Sequence, residues 1–295
     1  MRDNAQRAST LLKRTRPFSR VAAVVALGVV VAALYWPIVV KLVRDWWSDP
    51  DYSHAFIVVP LAIGLAWAHR RELAQTTPSP SAAGLAVVVV SLLLLVVGTL
   101  GAELFLTRVS LVGFTAGAVV YLLGWAHLRL LAFPLILLAL TIPIPAIVIT
   151  RLTLSLQLCA STIAEWLLSA VRIPVLREGN VLVLPNATLQ VAEACSGIRS
   201  MTALLTLALV VARFSDSRWL RRTVIVLSAI PIAVLVNGLR VAAASIAARW
   251  FGAAAVEGML HEILGWAMFL VAFVLMVACA RAIGAHAPRS HSVSP

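Results

Sequence analysis

The chain has 295 residues, of which 61% are hydrophobic and only 12% are charged. This balance excludes an ordinary soluble domain and is typical of a polytopic membrane protein, so we expect a lipid bilayer to surround most of the chain. The net charge of +12 does not indicate nucleic-acid binding, because the basic residues are spread in short clusters between apolar segments.

Eight segments are apolar enough to cross a bilayer core, which takes about 20 helical residues. The predicted spans are 20–40, 54–69, 82–102, 109–126, 130–149, 195–213, 223–248 and 260–280. The second is the weakest, because it is short and contains Pro60. Backbone polar groups must be paired within lipid, and the chain has no alternating barrel pattern, so these spans are predicted to be helices.

Basic residues orient the spans, since cytoplasmic loops of membrane proteins are enriched in Lys and Arg. They collect before the first span and in alternate loops, which predicts that both termini are cytoplasmic. The clusters are Arg2, Arg7, Lys13, Arg14, Arg16 and Arg20; Arg70 and Arg71; Arg129; Arg213, Arg218, Arg221 and Arg222; and Arg281 and Arg289. We expect one membrane domain over 1–295, with a cytoplasmic N-terminus (1–19), a periplasmic segment (150–194) and a cytoplasmic tail (281–295).

The periplasmic segment is predicted to have two parts. Apolar residues recur at helical spacing over 152–171, which favours an amphipathic helix along the interface and leaves a ninth span open. Over 173–186, β-branched and polar residues alternate, and Gly179-Asn180 and Pro185-Asn186 supply turns, which predicts a short hairpin or extended loop. The predicted fold is therefore an all-α polytopic bundle of about eight transmembrane helices, with these two elements before the sixth helix.

Cys195 stands where this loop gives way to the sixth span, in Glu193-Ala194-Cys195-Ser196-Gly197-Ile198-Arg199. Thiolate is the reactive form of cysteine, and both a helix N-terminus and the Arg199 guanidinium one turn later favour it. Free cysteines are often apolar fillers, as we interpret Cys159 and Cys279, and for Cys195 both interpretations stay open. The three cysteines lack metal-ligand spacing, and neither a metal nor an organic cofactor is indicated.

Arg240 and His261 are predicted to reach the same outer boundary from two other spans. Arg240 follows Arg222 by 18 residues, which is about 27 Å of helix. His261 begins the eighth span, and its charge can switch near neutral pH. The alternatives are an arginine that snorkels to the headgroups and a histidine that is merely solvated. A cysteine, a base and an anion stabiliser are the parts that acyl transfer through a thioester requires.

Four further residues are candidates for substrate binding or support: Arg199, Glu193, Asn237 and His54. His54 follows Asp51-Tyr52-Ser53 at the start of the second span, where capping by Asp51 and Ser53 is the favoured interpretation. Glu193 either hydrogen-bonds His261 or Arg240 or faces water.

These motifs resemble those of the exosortase/archaeosortase family of multi-pass membrane transpeptidases. The resemblance covers nearly the whole chain and rests on Asp51-Tyr52-Ser53-His54, Ile142-Pro143-Ile144-Pro145, Arg177-Glu178-Gly179-Asn180, the Cys195 motif, Asn237-Gly238-Leu239-Arg240, and His261 before Gly265. It implies that Cys195 forms an acyl-thioester, that Arg240 is the second catalytic residue and donates a proton, and that His261 supports the transition state. It further implies that the substrates are secreted proteins ending in a recognition motif (Pro-Glu-Pro in bacteria), a hydrophobic helix and a basic cluster.

Together with the predicted topology, this resemblance implies a cysteine peptidase/transpeptidase of the bacterial inner membrane, with its active site on the periplasmic side. It would cut the sorting tail from exported proteins and pass the acyl group to an amine acceptor, an exopolysaccharide or water. Two alternatives lack catalysis. One is a transporter with Arg199, Arg240 and His261 along its path, and the other is an assembly factor for exopolysaccharide export.

Overall fold

The computed structural model describes the backbone of residues 2–191, 198–215, 218–252 and 259–283, and the side chains in those ranges apart from 2–21, 23, 24, 198 and 259–261. A 3₁₀ turn at Pro50–Tyr52 follows the first helix, and three strands precede the eighth. The elements are α1 (Arg2–Ser48), α2 (Ala55–Ala68), α3 (Arg70–Gln75), α4 (Ala82–Leu100), α5 (Leu104–Leu122), α6 (Trp125–Leu140), α7 (Ala146–Ala170), β1 (Leu176–Glu178), β2 (Val181–Leu184), β3 (Ala187–Gln190), α8 (Ile198–Ser215), α9 (Trp219–Phe251) and α10 (Met259–Ala282).

Seven helical segments among the described residues are long and apolar enough to cross a membrane. They are Val25–Ser48, Pro50–Ala68, Ala82–Leu100, Leu104–Leu122, Ala146–Ala170, Trp219–Phe251 and Glu262–Ala282, and the shorter apolar helix is Trp125–Leu140. The prediction of an all-α polytopic membrane protein is confirmed.

The prediction of a single fifth span over 130–149 is wrong. The helix ends at Leu140, the backbone is non-helical from Thr141 to Pro145, and α7 begins at Ala146. Pro143 and Pro145 explain the break, because proline lacks an N–H and disfavours helical geometry at the residue before it. The following helix starts earlier than the predicted amphipathic segment 152–171, and the placement of that segment along the interface stays a prediction.

One compact unit comprises Met1–Ser48 and Ile63–Leu135. Its centre is the antiparallel pair α4 and α5, in which small residues allow the two backbones to approach closely. A Cβ on Gly84 would lie only 2.2 Å from the backbone nitrogen of Tyr121, and one on Gly117 would lie 2.8 Å from that of Val88. Close contact through small residues is the usual way for helices to associate in lipid, where no hydrophobic effect drives them together.

Polar contacts join α1 to α5 within the same unit. Arg108 is only 3% exposed and pairs with Asp45, while the hydroxyl of Tyr35 donates a hydrogen bond to the carbonyl oxygen of Ser110 at 3.4 Å. A buried arginine requires such a partner, because an unpaired charge within lipid is costly.

The second unit comprises Asp49–Ala62 and Ile136–Pro295, and α9 is its central helix. Two buried clusters meet along α9. The first half packs on α8 and α10 through Leu204, Ala208, Ala229, Ala233, Val236, Ala272 and Met276. The second half packs on α7 and the sheet through Ala160, Ala164, Leu182, Leu184, Val191, Val241 and Ala242. Arg240 lies at the junction, between Val236 of the one cluster and Val241 of the other.

The segment predicted as a hairpin or extended loop forms an antiparallel sheet in the order β1-β2-β3. Gly179, with φ of +65°, makes the turn between β1 and β2, which suits a residue without a Cβ. Alternate residues of β2, Leu182 and Leu184, are buried against the core with α7 and α9. Burial of one such leucine contributes about 1.5 to 3 kcal/mol, so the sheet is held firmly on this core.

Candidate active site

The Asp49–His54 turn forms one wall of the candidate site. The Asp49 side chain accepts a hydrogen bond from the backbone N–H of Asp51 at 2.9 Å and caps the 3₁₀ turn. Capping was predicted for Asp51 and Ser53. Instead, Asp49 is the cap, and the Ser53 hydroxyl donates to the Pro50 carbonyl oxygen at 2.8 Å. Asp51 is thereby left available for a tertiary contact.

Tyr52 and His54 tie this turn down. The Tyr52 hydroxyl accepts a hydrogen bond from the Ile144 backbone N–H at 3.1 Å, which joins the turn to the segment between α6 and α7. His54 Nδ1 donates to the Asp51 carbonyl oxygen at 3.1 Å, and the rings of Tyr52 and His54 lie 6.5 Å apart between centroids. The motif around His54 and the Ile142–Pro145 motif are therefore neighbours in space.

Asp51 reaches the start of α8. Its Oδ1 lies 3.2 Å from Nε of Arg199, and the two side chains are 39% and 57% exposed. An ion pair this exposed contributes only about 0.2 to 1 kcal/mol, so it orients the Arg199 guanidinium more than it stabilises the fold. Arg199, predicted as a supporting residue, thus lies between the His54 turn and the segment that holds Cys195 in the sequence.

Arg240 lies in a cleft between α8, α9 and α10. The cleft has a volume of about 20 Å³, which is room for one water molecule or one substrate oxygen. Its lining combines polar residues of α8 and α9 with apolar residues of all three helices: Ser200, Leu204, Ala233, Val236, Asn237, Arg240, Gly265, Met268, Phe269 and Ala272. Asn237 is 5% exposed and stands one turn before Arg240 on the same face of α9.

Two glycines leave space near Arg240, one beside its side chain and one on its own helix. A Cβ on Gly265 would lie 3.5 Å from Nη2 of Arg240, so the guanidinium rests directly on the bare backbone of α10. A Cβ on Gly238 would lie 2.5 Å from Cγ2 of Ile163, so α7 presses against α9 two residues before Arg240. These close approaches fix both the helix that carries Arg240 and the space into which its side chain extends.

The Arg177–Asn180 motif anchors the sheet on α7. Nε of Arg177 donates to Oε2 of Glu165 at 2.7 Å, and the hydroxyl of Ser161 donates to the Gly179 carbonyl oxygen at 3.0 Å. Nδ2 of Asn180 donates to Oε1 of Gln157 at 3.1 Å. The sheet ends at Gln190 and the described chain continues to Val191, four residues before Cys195.

The predicted site residues divide into three groups. Asn237 and Arg240 line one cleft, and Arg199 directly precedes Ser200, which lines it too. The His54 turn contacts Arg199 through Asp51. Cys195 and Glu193 lie outside the described residues. For His261 only the backbone is described, in the first turn of α10, on the same face as Gly265 and four residues before it.

Three contributors to the site were missed from the sequence. They are Asp51 as the partner of Arg199, Tyr52 as the link to Ile144, and Ser200 in the lining of the cleft. The only signal for them was their place within the short motifs, since contacts between residues 92 and 148 positions apart leave no local pattern. Among the described residues, no group of three His, Cys, Asp or Glu side chains is placed to hold a metal ion.

A family model described as transmembrane exosortase matches residues 46–278 of the chain. The matched range includes every motif discussed above, from the Asp49–His54 turn to the first turns of α10. No curated protein and no solved structure matches the chain significantly.

Proposed function

The chain belongs to the transmembrane exosortase family, and we propose that it is a cysteine peptidase/transpeptidase that removes a C-terminal sorting tail from exported proteins. The observation that carries this proposal is the position of Arg240. Its guanidinium borders a cleft with Ser200 of α8 on one side and Gly265 of α10 on the other, one helical turn from the position of His261.

Connectivity supports a role for Cys195 beside this cleft. Cys195 precedes the first residue of α8 by three residues, and three residues of chain span at most about 11 Å. The first turn of α8 holds Arg199 and Ser200, and Ser200 already lines the cleft. The thiol of Cys195, the guanidinium of Arg240 and the imidazole of His261 are thereby proposed to meet at this cleft.

In the proposed reaction, the Cys195 thiolate attacks the backbone carbonyl carbon at the recognition motif. The negative charge that develops on the carbonyl oxygen is stabilised by N–H donors of Arg240, in a cleft whose volume suits one oxygen. The C–N bond then breaks as Arg240 gives the leaving amine a proton while His261 supports the transition state, and the tail departs with its helix. The proton that the acceptor's N–H or O–H group loses in the next step restores Arg240. The remaining thioester is attacked by an amine acceptor, an exopolysaccharide or water, which releases Cys195.

The proposed substrate fits the membrane setting of the site. A sorting tail with a hydrophobic helix would lie beside the enzyme's helices, and its basic cluster would stay in the cytoplasm by the charge rule that orients membrane proteins. The recognition motif would then be presented at the periplasmic side of the bacterial inner membrane, where the active site is proposed to face. Arg199, Glu193, Asn237 and His54 are proposed to bind or orient that motif.

The test is co-expression of the protein with a reporter that ends in a Pro-Glu-Pro motif, a hydrophobic helix and a basic cluster. With the unchanged protein, mass spectrometry of the reporter should find a new C-terminus at the motif. A free carboxylate there would identify water as the acceptor, and an added mass would identify another nucleophile. With Cys195→Ser, full-length reporter should accumulate.

Two other cysteines provide matched controls. Cys159 is exposed and Cys279 is half-buried, and both lie in helices remote in sequence from the motif. The variants Cys159→Ser and Cys279→Ser should process the reporter like the unchanged protein. Normal processing by Cys195→Ser would exclude Cys195 as the nucleophile. No processing by the unchanged protein would instead favour a transporter or an assembly factor for exopolysaccharide export, because neither cleaves a peptide bond.

A further inference from the structure

We infer that Asn180 is a positioning residue for the nucleophile: its side chain fixes the chain at Val191, four residues before Cys195, to the helix that also holds α9 beside Arg240. This inference rests on the proposed function, because it assigns to Asn180 a part in aligning Cys195 with Arg240.

Asn180 makes contacts in two directions. Its backbone carbonyl oxygen accepts a hydrogen bond from the N–H of Val191 at 2.8 Å, and its Nδ2 donates to the Val191 carbonyl oxygen at 3.4 Å. The same Nδ2 donates to Oε1 of Gln157 at 3.1 Å. Both partners are buried, with Val191 3% and Gln157 6% exposed. The strand end and α7 are thus joined through one amide group.

An amide is the side chain that can do this. Nδ2 carries two N–H groups, which matches the two oxygens that face it, whereas a carboxylate at the same place would only accept. Without Asn180, the buried side-chain oxygen of Gln157 would lack a hydrogen-bond partner. Losing a hydrogen bond at a buried site costs more free energy than losing one at an exposed site. The geometry therefore favours a single arrangement of β2, Val191 and α7.

The same helix α7 also determines where Arg240 lies. Ile163 stands six residues after Gln157 and packs against Gly238, two residues before Arg240. One turn of α7 is therefore tied to the chain that leads into Cys195, and the next turns are tied to the helix that carries Arg240. Release of the Asn180 contact would loosen the chain at Val191, which leads into Cys195, while leaving α7 and α9 packed.

Ser161 provides the matched control. Its hydroxyl joins the same helix to the same turn, through the Gly179 carbonyl oxygen, and it is fully buried, but its hydrogen bonds go to Leu158 and Gly179 and not to Val191. The variants Asn180→Ala and Ser161→Ala each remove hydrogen bonding between α7 and this turn. We expect them to lower the melting temperature in detergent by similar amounts, so a difference in activity between them reports on position rather than on stability.

The first measurement is the steady-state kinetics of reporter cleavage by the purified, full-length variants. Asn180→Ala should lower kcat by about 10- to 100-fold with little change in KM, because a misplacement of about 1 Å at a reacting group has an effect of this size. Ser161→Ala should stay near the unchanged protein. Equal kcat values for the two variants, with Cys195→Ser inactive, would overturn the inference and leave the proposed function standing.

The second measurement does not depend on activity. The Val191 N–H bonds the backbone carbonyl oxygen of residue 180, which all these variants keep, so protection reports how firmly the side-chain link holds that pair. Hydrogen exchange followed by mass spectrometry should show faster exchange of the Val191 amide in Asn180→Ala and Gln157→Ala than in the unchanged protein, whereas Ser161→Ala should match the unchanged protein. Unchanged protection in Asn180→Ala would also overturn the inference. If Cys195→Ser still cleaved the reporter, the proposed function would fail whatever the exchange pattern of Asn180→Ala.

Discussion

Arg240 depends on neighbours that have no side chain. Gly265 leaves room for the guanidinium on α10, and Gly238 lets α7 approach α9 just before it. Neither glycine has the positive φ that would make glycine necessary for the backbone. Their role is therefore to leave space, and space can be tested by the size of the replacement.

The size of the residue at position 265 should control activity in steps. A Cβ at Gly265 would be 3.5 Å from Nη2 of Arg240, an ordinary contact distance, so Gly265→Ala should cleave the reporter nearly normally. Gly265→Leu should push the guanidinium out of the cleft and lower kcat by about 100-fold, as expected when a charge-stabilising donor is displaced. Cleavage assays with both variants check this, and equal activity of Leu and Ala at this position would contradict the placement of Arg240.

For single residues, the types of functional side chain could be predicted from the sequence more readily than their contacts. Arg240 and Asn237 could be assigned to one face from helical spacing, and the structure has both in the lining of one cleft. The pairing of Asp51 with Arg199 could not be predicted, because the sequence favoured Asp51 as a cap and only the fold shows that Asp49 caps the turn instead.

The backbones of helices α4 and α5 approach each other closely. Gly84, Ser91 and Gly98 recur every seven residues on α4, and Gly113 and Gly117 stand four apart on α5. These spacings line small residues along one face of each helix. Such spacing of small residues predicts close helix packing, which hydropathy alone does not indicate.

Substitution of these glycines should depend on their contacts. Gly84→Ala would place a Cβ 2.2 Å from a backbone nitrogen of Tyr121, which cannot move aside like a flexible side chain, so it should destabilise the protein by about 1 to 3 kcal/mol. Gly64→Ala, in α2, meets no atom within 4 Å and should be neutral or stabilising, by up to about 1 kcal/mol. Thermal unfolding in detergent measures both, and a similar loss for the two variants would contradict the α4–α5 packing.

Helix existence was predictable from apolar length, and the break after α6 was the main failure. Pro143 and Pro145 lie within a run of apolar residues, so the hydropathy is high on both sides of them and predicts one continuous span. Proline interrupts the helical backbone without lowering hydropathy. The helix therefore breaks here although the hydropathy predicts a continuous span. The third strand was missed for a related reason, since Ala187–Gln190 is too short to show an alternating pattern of its own.

For the whole molecule, length and composition predicted the membrane class, while orientation comes from charge alone. The sheet is predicted to face the periplasm and the loop after α3 the cytoplasm. In a background with all three cysteines replaced by serine, Thr188→Cys should react with a membrane-impermeant maleimide in intact spheroplasts. Gln75→Cys, which is equally exposed, should react only after lysis. The reverse pattern would invert the proposed topology.

In the proposed reaction, Cys195 becomes covalently attached to the substrate. The most direct measurement is intact-protein mass spectrometry of the enzyme after brief reaction with the tailed reporter, followed by peptide mapping. We expect an adduct of the truncated reporter on Cys195 that hydroxylamine releases, because hydroxylamine cleaves thioesters. Processing of the reporter with no adduct on Cys195, in a sample where rapid quenching preserves other thioesters, would contradict it.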